Sequence, residues 1–205
     1  MAEGIPNPNE DLTTFYQVLP AAIVAKMQRI KLVVLDVDGT LTDGAIIYND
    51  TSREYKNFNC KDGMGVSLLI KAGIEVALLT GRYSHLTTRR AADMLIEHVI
   101  QGERNKEEAL QRLMQQLNVT DDELAVVGDD INDMPLFQHA AVSGCPLDGY
   151  HFMQTQATVH LTRNGGNGAV REFADLILMA KGLMTPEGDA KFLRERGLSF
   201  AHTRQ

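Results

Sequence analysis

Cysteine is nearly absent. Cys60 and Cys145 are the two in a chain of 205 residues, too few for a disulfide framework. No apolar run approaches the ~18 residues of a membrane-spanning helix. The first residues lack the basic, apolar and small-residue succession of a secretory signal. Positive charge is also in deficit: the formal net charge is -7, which argues against a nucleic-acid or anionic-membrane surface. The six histidines are scattered with no metal-ligand spacing, and there is no internal repeat or low-complexity tract. What remains is a chain of ordinary globular composition, 44% hydrophobic and 23% charged, long enough to bury a core without staples. The expectation is a reduced, soluble, cytoplasmic protein without membrane or nucleic-acid partners.

Three segments are expected. Residues 1–30 read as an arm: disordered to residue 9, then helical, with Leu12, Phe15, Tyr16, Leu19, Ile23, Val24 and Met27 at roughly helical spacing and Pro20 dividing the helix. Residues 31–182 read as one domain. KLVVL (31–35), IEVALLTG (74–81) and ELAVVGDD (123–130) are short β-branched apolar runs closed by turns, and AAVSG (140–144) and ATVHLT (157–162) are weaker examples. Helix-like stretches at 63–71, 84–95, 106–117, 134–140 and 169–181 alternate with them. That alternation predicts an α/β doubly wound parallel sheet with helices on both faces and ligands beyond the carboxyl ends of its strands. Residues 45–59 break the pattern: two strand-like pieces around Asn49-Asp50-Thr51-Ser52 predict a β-hairpin flap. Residues 183–205 form a tail with Lys191, Arg194, Arg196 and Arg204 against Glu187, Asp189 and Glu195. The tail is expected to dock near a neighbouring subunit's site and help hold an anionic substrate or release product.

Polar residues gather at the predicted strand ends: Asp36 and Asp38 in LDVDGTLTDG, Thr80 and Arg82 in LLTGR, Lys106 at a helix start, and Asp129, Asp130 and Asp133 in VVGDDINDM. Converging carboxylates repel one another unless a cation is present, and an all-oxygen ligand set suits Mg2+. A metal beside Lys106 attracts a phosphate dianion, whose oxygens Thr80 and the amides after Asp36 could bind. One carboxylate could attack phosphorus, and a second could protonate the leaving oxygen and then activate water.

The four motifs, in this order, resemble the haloacid dehalogenase superfamily over roughly residues 31–182. The resemblance implies Asp36 as nucleophile, Asp38 as general acid and base, and Thr80 and Lys106 as phosphoryl holders. Mg2+ would be bound by the Asp36 carboxylate, the Asp38 backbone carbonyl and Asp129, with Asp130 and Asp133 as outer or alternative partners. An aspartate at position 38 favours a phosphatase or phosphomutase. Between these motifs there is no room for a cap domain, so the site is either open to a macromolecule or closed by another subunit. NFNCKDGMG (57–65), TGR (80–82), RRAADML (89–95), QGERNK (101–106) and RNGGNGAVRE (163–172), with the N-terminal arm, resemble the 3-deoxy-D-manno-octulosonate 8-phosphate phosphatases. That resemblance implies a small phosphorylated keto-sugar acid as substrate and a homotetramer joined through its hairpins. It also implies a substrate loop of Asn59, Cys60, Lys61, Asp62 and Gly63, with Arg82, Arg90 and Lys106 as further contacts, and a place in lipopolysaccharide assembly. Arg82 favours the octulosonate over ketononulosonate 9-phosphate, whose branch carries glutamate there. The chain departs at Thr40, where the family has valine, and at Lys61 and Ser67, where it has arginines that lysine and serine do not replace in bidentate recognition. The alternatives are a phosphatase for another small sugar phosphate, or an idle binding or scaffold subunit of a sugar-nucleotide pathway.

Overall fold

The computed structural model of the protein describes residues 4–51 and 53–190. In chain order its elements are β1 (Leu12–Thr13), β2 (Val18–Leu19), α1 (Ala21–Met27), β3 (Leu32–Leu35), β4 (Ile47–Tyr48), β5 (Glu54–Tyr55), α2 (Cys60–Lys71), β6 (Glu75–Thr80), α3 (His85–Asp93) and β7 (His98–Gln101), followed by α4 (Lys106–Leu117), β8 (Leu124–Val127), α5 (Met134–His139), β9 (Val142–Cys145), α6 (His151–Gln156), β10 (Val159–His160) and α7 (Ala169–Ala180). Six strands form one parallel sheet in the order β10-β9-β8-β3-β6-β7. The chain begins the sheet at β3, winds outward through β6 and β7, then returns to lay β8, β9 and β10 on the other side. β3 is therefore the strand at which the winding direction reverses, and in such sheets the crevice at the reversal is where ligands bind.

The period-2 alternation of buried strands explains the three layers. Val33 and Leu35 of β3, Val76 and Leu78 of β6, and Ala125 and Val127 of β8 point to one face, against α1, α2 and α7. Leu32, Val34, Ala77, Leu79, Leu124 and Val126 point to the other, against Leu110 and Leu113 of α4, Leu136 and Phe137 of α5 and Met153 of α6. On the first face α2 and α7 approach closely at Gly65, where a Cβ would come within 2.9 Å of the Arg171 backbone. The two helices are also joined by Asp62, which is buried in the first turn of α2 and accepts from the amides of Gly168 (3.1 Å) and Arg171 (2.9 Å) at the start of α7. This is a helix cap supplied from another helix. Asp62→Ala is expected to cost about 1–3 kcal/mol by stranding two buried amides, read as a fall in urea midpoint at unchanged slope; an unchanged midpoint would mean that water replaces the carboxylate.

The predicted flap is present as an antiparallel pair with Ile47 opposite Tyr55 and Tyr48 opposite Glu54. The Asn49 side chain closes its turn by accepting from the amides of Thr51 and Arg53. Among the described residues, the flap and α2 are the elements between β3 and β6, and α3 and β7 those between β6 and α4, with no cap domain inserted.

The N-terminal arm differs from the helix expected over residues 10–30. Only Ala21–Met27 is helical; Leu12–Thr13 and Val18–Leu19 form a small antiparallel hairpin. The Thr14 hydroxyl accepts from the amides of Tyr16 and Gln17 and donates to the Gln17 carbonyl, and this local bonding competes with a helix. Pro20 further disfavours helical backbone at Leu19. The disorder expected to residue 9 does not hold for residues 4–9, where Pro6 accepts a 2.8 Å bond from the Gln28 side chain and Asn7 bonds Glu10; residues 1–3 lie outside the described residues. Leu19, Val24 and Met27 of the arm and Met184 beyond α7 are buried in the same cluster as the sheet. The first part of the tail returns to the N-terminal hairpin, with Phe15 donating its amide to the Pro186 carbonyl. The basic residues of the tail, from Lys191 onward, lie outside the described residues. Among the described residues no helix is long and apolar enough to cross a membrane.

Candidate active site

The carboxyl ends of β3 and β8 are neighbours, in register with Leu35 opposite Val127, so the residues that follow them must meet. Asp36 continues the ladder by donating its amide to the Val127 carbonyl. Its side chain is 5% exposed. Lys106, the first residue of α4, reaches across the strand ends and donates to Asp36 (2.6 Å) and Asp133 (2.5 Å). Asn105 caps that helix by accepting from the Glu108 amide, which fixes where the lysine leaves the backbone. Asp133 is wholly buried, and its other oxygen accepts from the amides of Asp129 and Asp130. It thereby braces the turn that presents Asp129.

Oxygens of Asp36, Asp129 and Asp133 lie within 4.8 Å of one another. Burial, followed by the Asp133 charge, pushes the Asp36 carboxyl well above the usual range in spite of Lys106. Burial and the charges of Asp133 and Asp130 raise Asp129 to about 7. Burial also raises Asp133, against the pull of Lys106. Three carboxylates thus converge on one ammonium, and an all-oxygen donor set of this kind fits a hard divalent cation. Gly39 makes the convergence possible: its φ is +91°, and a Cβ there would collide with the Asp129 carboxylate. The Thr40 hydroxyl faces the same carboxylate at 3.5 Å, so one family departure is accommodated within the cluster. Thr80, 3% exposed, ends β6 and accepts from the Arg82 amide at 3.4 Å.

Asp38 stands apart from the cluster, 21% exposed and ion-paired with Lys56 from the flap. Arg82 lies 3.9 Å from Asp38 and 2.6 Å from Glu54. Glu54 also accepts from the Ser84 hydroxyl at 2.7 Å. Burial raises the Glu54 carboxyl, but Ser84, Lys56 and Arg82 outweigh it and hold it below the ordinary value.

The expected substrate loop is divided between two tasks. Asn59 caps α2 through the Lys61 amide, and Cys60 and Lys61 are exposed beside it. Asp62 is committed to α7, with both oxygens occupied. Arg90 donates to the Asn59 carbonyl at 3.0 Å, lies 5.9 Å over the Phe58 ring and covers Gly63; its buried Nε has no partner among the described residues. Ser67 bonds back to the Gly63 carbonyl of its own helix. Lys56 and Glu54 were not singled out from the sequence. A signal exists in the alternation of residues 53–58, which places Glu54, Lys56 and Phe58 on the inner side and Arg53, Tyr55 and Asn57 outside.

The parallel sheet and this carboxylate–lysine cluster define a haloacid dehalogenase-like hydrolase, and the sequence profile of those hydrolases matches residues 83–172. The chain is 38% identical over 171 residues to the 3-deoxy-D-manno-octulosonate 8-phosphate phosphatase KdsC of Escherichia coli K12, covering 83% of this chain and 91% of the relative. It superposes on the phosphatase of that name from Yersinia pestis with a TM-score of 0.82 at 34% identity, covering 84% of this chain and 93% of the other. The enzyme from Moraxella catarrhalis, solved with magnesium ion, phosphate ion and KDO, gives a TM-score of 0.77 at 39% identity, covering 78% and 92%. The chain belongs to the 3-deoxy-D-manno-octulosonate 8-phosphate phosphatase family.

Proposed function

We propose that this protein is a Mg2+-dependent phosphomonoesterase that removes phosphate from 3-deoxy-D-manno-octulosonate 8-phosphate. The observation that carries the reading is the Asp36–Lys106–Asp133 arrangement at the carboxyl ends of β3 and β8, with Asp38 two residues beyond the nucleophile. Asp36 and Asp129, with the Asp38 carbonyl, would hold Mg2+, and Asp133 supports them from below. When bound, Mg2+ supplies positive charge to screen the nucleophile from the phosphate dianion. Lys106 and Thr80 hold the phosphoryl oxygens. An Asp36 oxygen attacks phosphorus while the bond to the sugar oxygen breaks, and Asp38 gives that oxygen a proton. Asp38 then takes a proton from water as the water oxygen attacks the aspartyl phosphate, freeing phosphate and restoring Asp36. Asn59, Lys61 and Arg82 are the contacts for the sugar acid; Asp62 and Arg90 act by bracing the loop.

The chain works as a cytoplasmic homotetramer on this reading, supported by the outward apolar residues of the flap, Ile46, Ile47, Tyr48 and Tyr55, each close to half exposed or more. Sedimentation at the mass of a single chain would remove the tetramer. Phosphate release from the octulosonate phosphate, beside ketononulosonate 9-phosphate, other sugar phosphates and an aryl phosphate, tests the substrate. Strong preference for the octulosonate is expected; broad weak hydrolysis would reassign the substrate, and no hydrolysis at all would favour a binding subunit. Mg2+ binding is expected to displace protons from the raised carboxyls and to tighten as pH rises from 6 to 8. Calorimetry in two buffers of different ionisation enthalpy reads the protons directly, and identical heats would mean that the carboxylates are already ionised.

A further inference from the structure

The charges around Asp38 close into a ring of alternating sign. Lys56 pairs with Asp38 Oδ1 and stands 3.7 Å from Glu54 Oε1. Arg82 Nη2 is 2.6 Å from the same Glu54 oxygen, and Arg82 Nη1 is 3.9 Å from Asp38 Oδ1. The Lys56 side chain is 2% exposed, so its ammonium has been taken out of water to reach this place. Among the described residues that cost is offset by the two carboxylates it faces, Asp38 and Glu54. Ser84, which caps α3, anchors Glu54 from the other side. Both cations thus lie on one oxygen of Asp38, and a carboxylate held by Oδ1 presents Oδ2.

We propose that Lys56 is a positioning residue for Asp38, holding Oδ1 so that Oδ2 carries the proton to and from the reacting oxygens, with Glu54 keeping Lys56 and Arg82 in register. This rests on the reading of Asp38 as acid and base. In the first half-reaction the Oδ2 proton passes to the sugar oxygen as its bond to phosphorus breaks. In the second, a proton of the attacking water returns to Oδ2, so the cycle consumes one water and leaves Asp38 as it began. Lys56 neither gives nor takes a proton. The flap therefore has a task inside its own subunit: its inward side chains Glu54 and Lys56 set the geometry of the proton donor.

The test is Lys56→Met assayed on two leaving groups. A sugar alkoxide needs its proton in the transition state; the carboxylate released from acetyl phosphate does not. A misplaced general acid costs on the order of 100-fold. For the sugar phosphate, leaving-group release in the first turnover, read by rapid quench, is expected to slow about 30–100-fold at nearly constant half-saturation, with first-turnover release of acetate from acetyl phosphate changing less than about threefold; hydrolysis of the aspartyl phosphate, which needs Oδ2 for either substrate, is expected to slow equally for both. Glu54→Gln, which loosens Lys56 without deleting it, should give a smaller loss with the same selectivity, and thermal unfolding confirms that each variant is folded. Equal losses of first-turnover release on both substrates would make Lys56 merely structural and overturn the proposal. A raised KM at constant kcat would make it a substrate ligand and also overturn it, as would unchanged kinetics. A wild-type protein inactive on both phosphates would instead bring down the phosphatase reading.

Discussion

Asp36→Asn is expected to lower phosphate release by at least about four orders of magnitude, or about 5 kcal/mol of transition-state stabilisation. The amide has the shape of the carboxylate but no anionic oxygen to form the acyl phosphate, and no other carboxylate takes its place. Asp133 is wholly buried and its oxygens are committed to Lys106 and to the amides of Asp129 and Asp130. Asp129 lies against the Gly39 backbone. The variant should nevertheless fold. Burial and the Asp133 charge already disfavour the Asp36 carboxylate, so a neutral isostere relieves repulsion, and without Mg2+ its melting temperature is expected to equal or exceed that of the wild type. Acid quenching during turnover should trap a phosphoryl adduct on the wild type and none on the variant. Residual turnover within tenfold of the wild type would exclude Asp36 as the nucleophile.

Lys106→Met is expected to damage both stability and activity. Taking the ammonium out of water opposes its charge, but Asp36 and Asp133 overcome that opposition and raise its pKa above the ordinary lysine value. A raised lysine contributes stability that is fully present below the unfolded pKa of about 10.4 and lost only as pH rises through the folded one. Lys106 is charged at both pH 6 and pH 8, but burial has raised its partner Asp36, which is more fully ionised at the higher pH, so the loss is expected to be larger at pH 8 than at pH 6. Removing one partner of a buried ion pair costs about 3–5 kcal/mol, here because two buried carboxylates lose the ammonium that both of them bond. For a domain of this size that is a fall of roughly 6–20 °C in Tm. Activity should fall by about 100- to 1000-fold, the usual loss when one preorganised charge is withdrawn from a developing anion. On the proposed reading Mg2+ would supply charge to Asp36 and the carboxylates beside it, so the rise in Tm on adding it should be larger in the variant than in the wild type. An equal rise would mean that the metal and the lysine do not share the cluster, and the placement of Asp36 and Asp133 would have to be revised.

Much of the scaffold is readable along the chain because its signals are local. Strands β3, β6 and β8 are apolar runs that end where a carboxylate or a Thr-Gly begins, and α4 spans the stretch 106–117 expected of it. Where two local signals compete, the pattern misleads: apolar spacing over residues 10–19 argues for a helix, but the Thr14 hydroxyl and Pro20 select a hairpin. The edge strand β7 and the short helix α6 carry weak patterns of their own and owe their places to β6 and to the second core face.

The candidate site divides in the same way. Asp36, Asp38, Thr80, Lys106 and Asp129 stand at strand ends and a helix start, positions that follow from residue type and order, so the sequence by itself determined which groups stand there and the chemistry proposed for them. Which of these residues are spent on structure was decided only by tertiary contact. Asp62, in the first turn of α2, and Arg90, on α3, read as substrate contacts, yet the packing of α2 on α7 and of Arg90 on Gly63 turns both inward. Asp133, one acidic residue among several in its motif, became the brace beneath Asp129 because α4 delivers Lys106 to it. Lys56 met Asp38 because the flap folds back over the strand ends. Alternation along residues 53–58 assigns Glu54 and Lys56 to one face, but a period of two cannot say what that face will touch. Charge pairing between segments distant in the chain is set by the sheet order, and the sheet order is a property of the whole core.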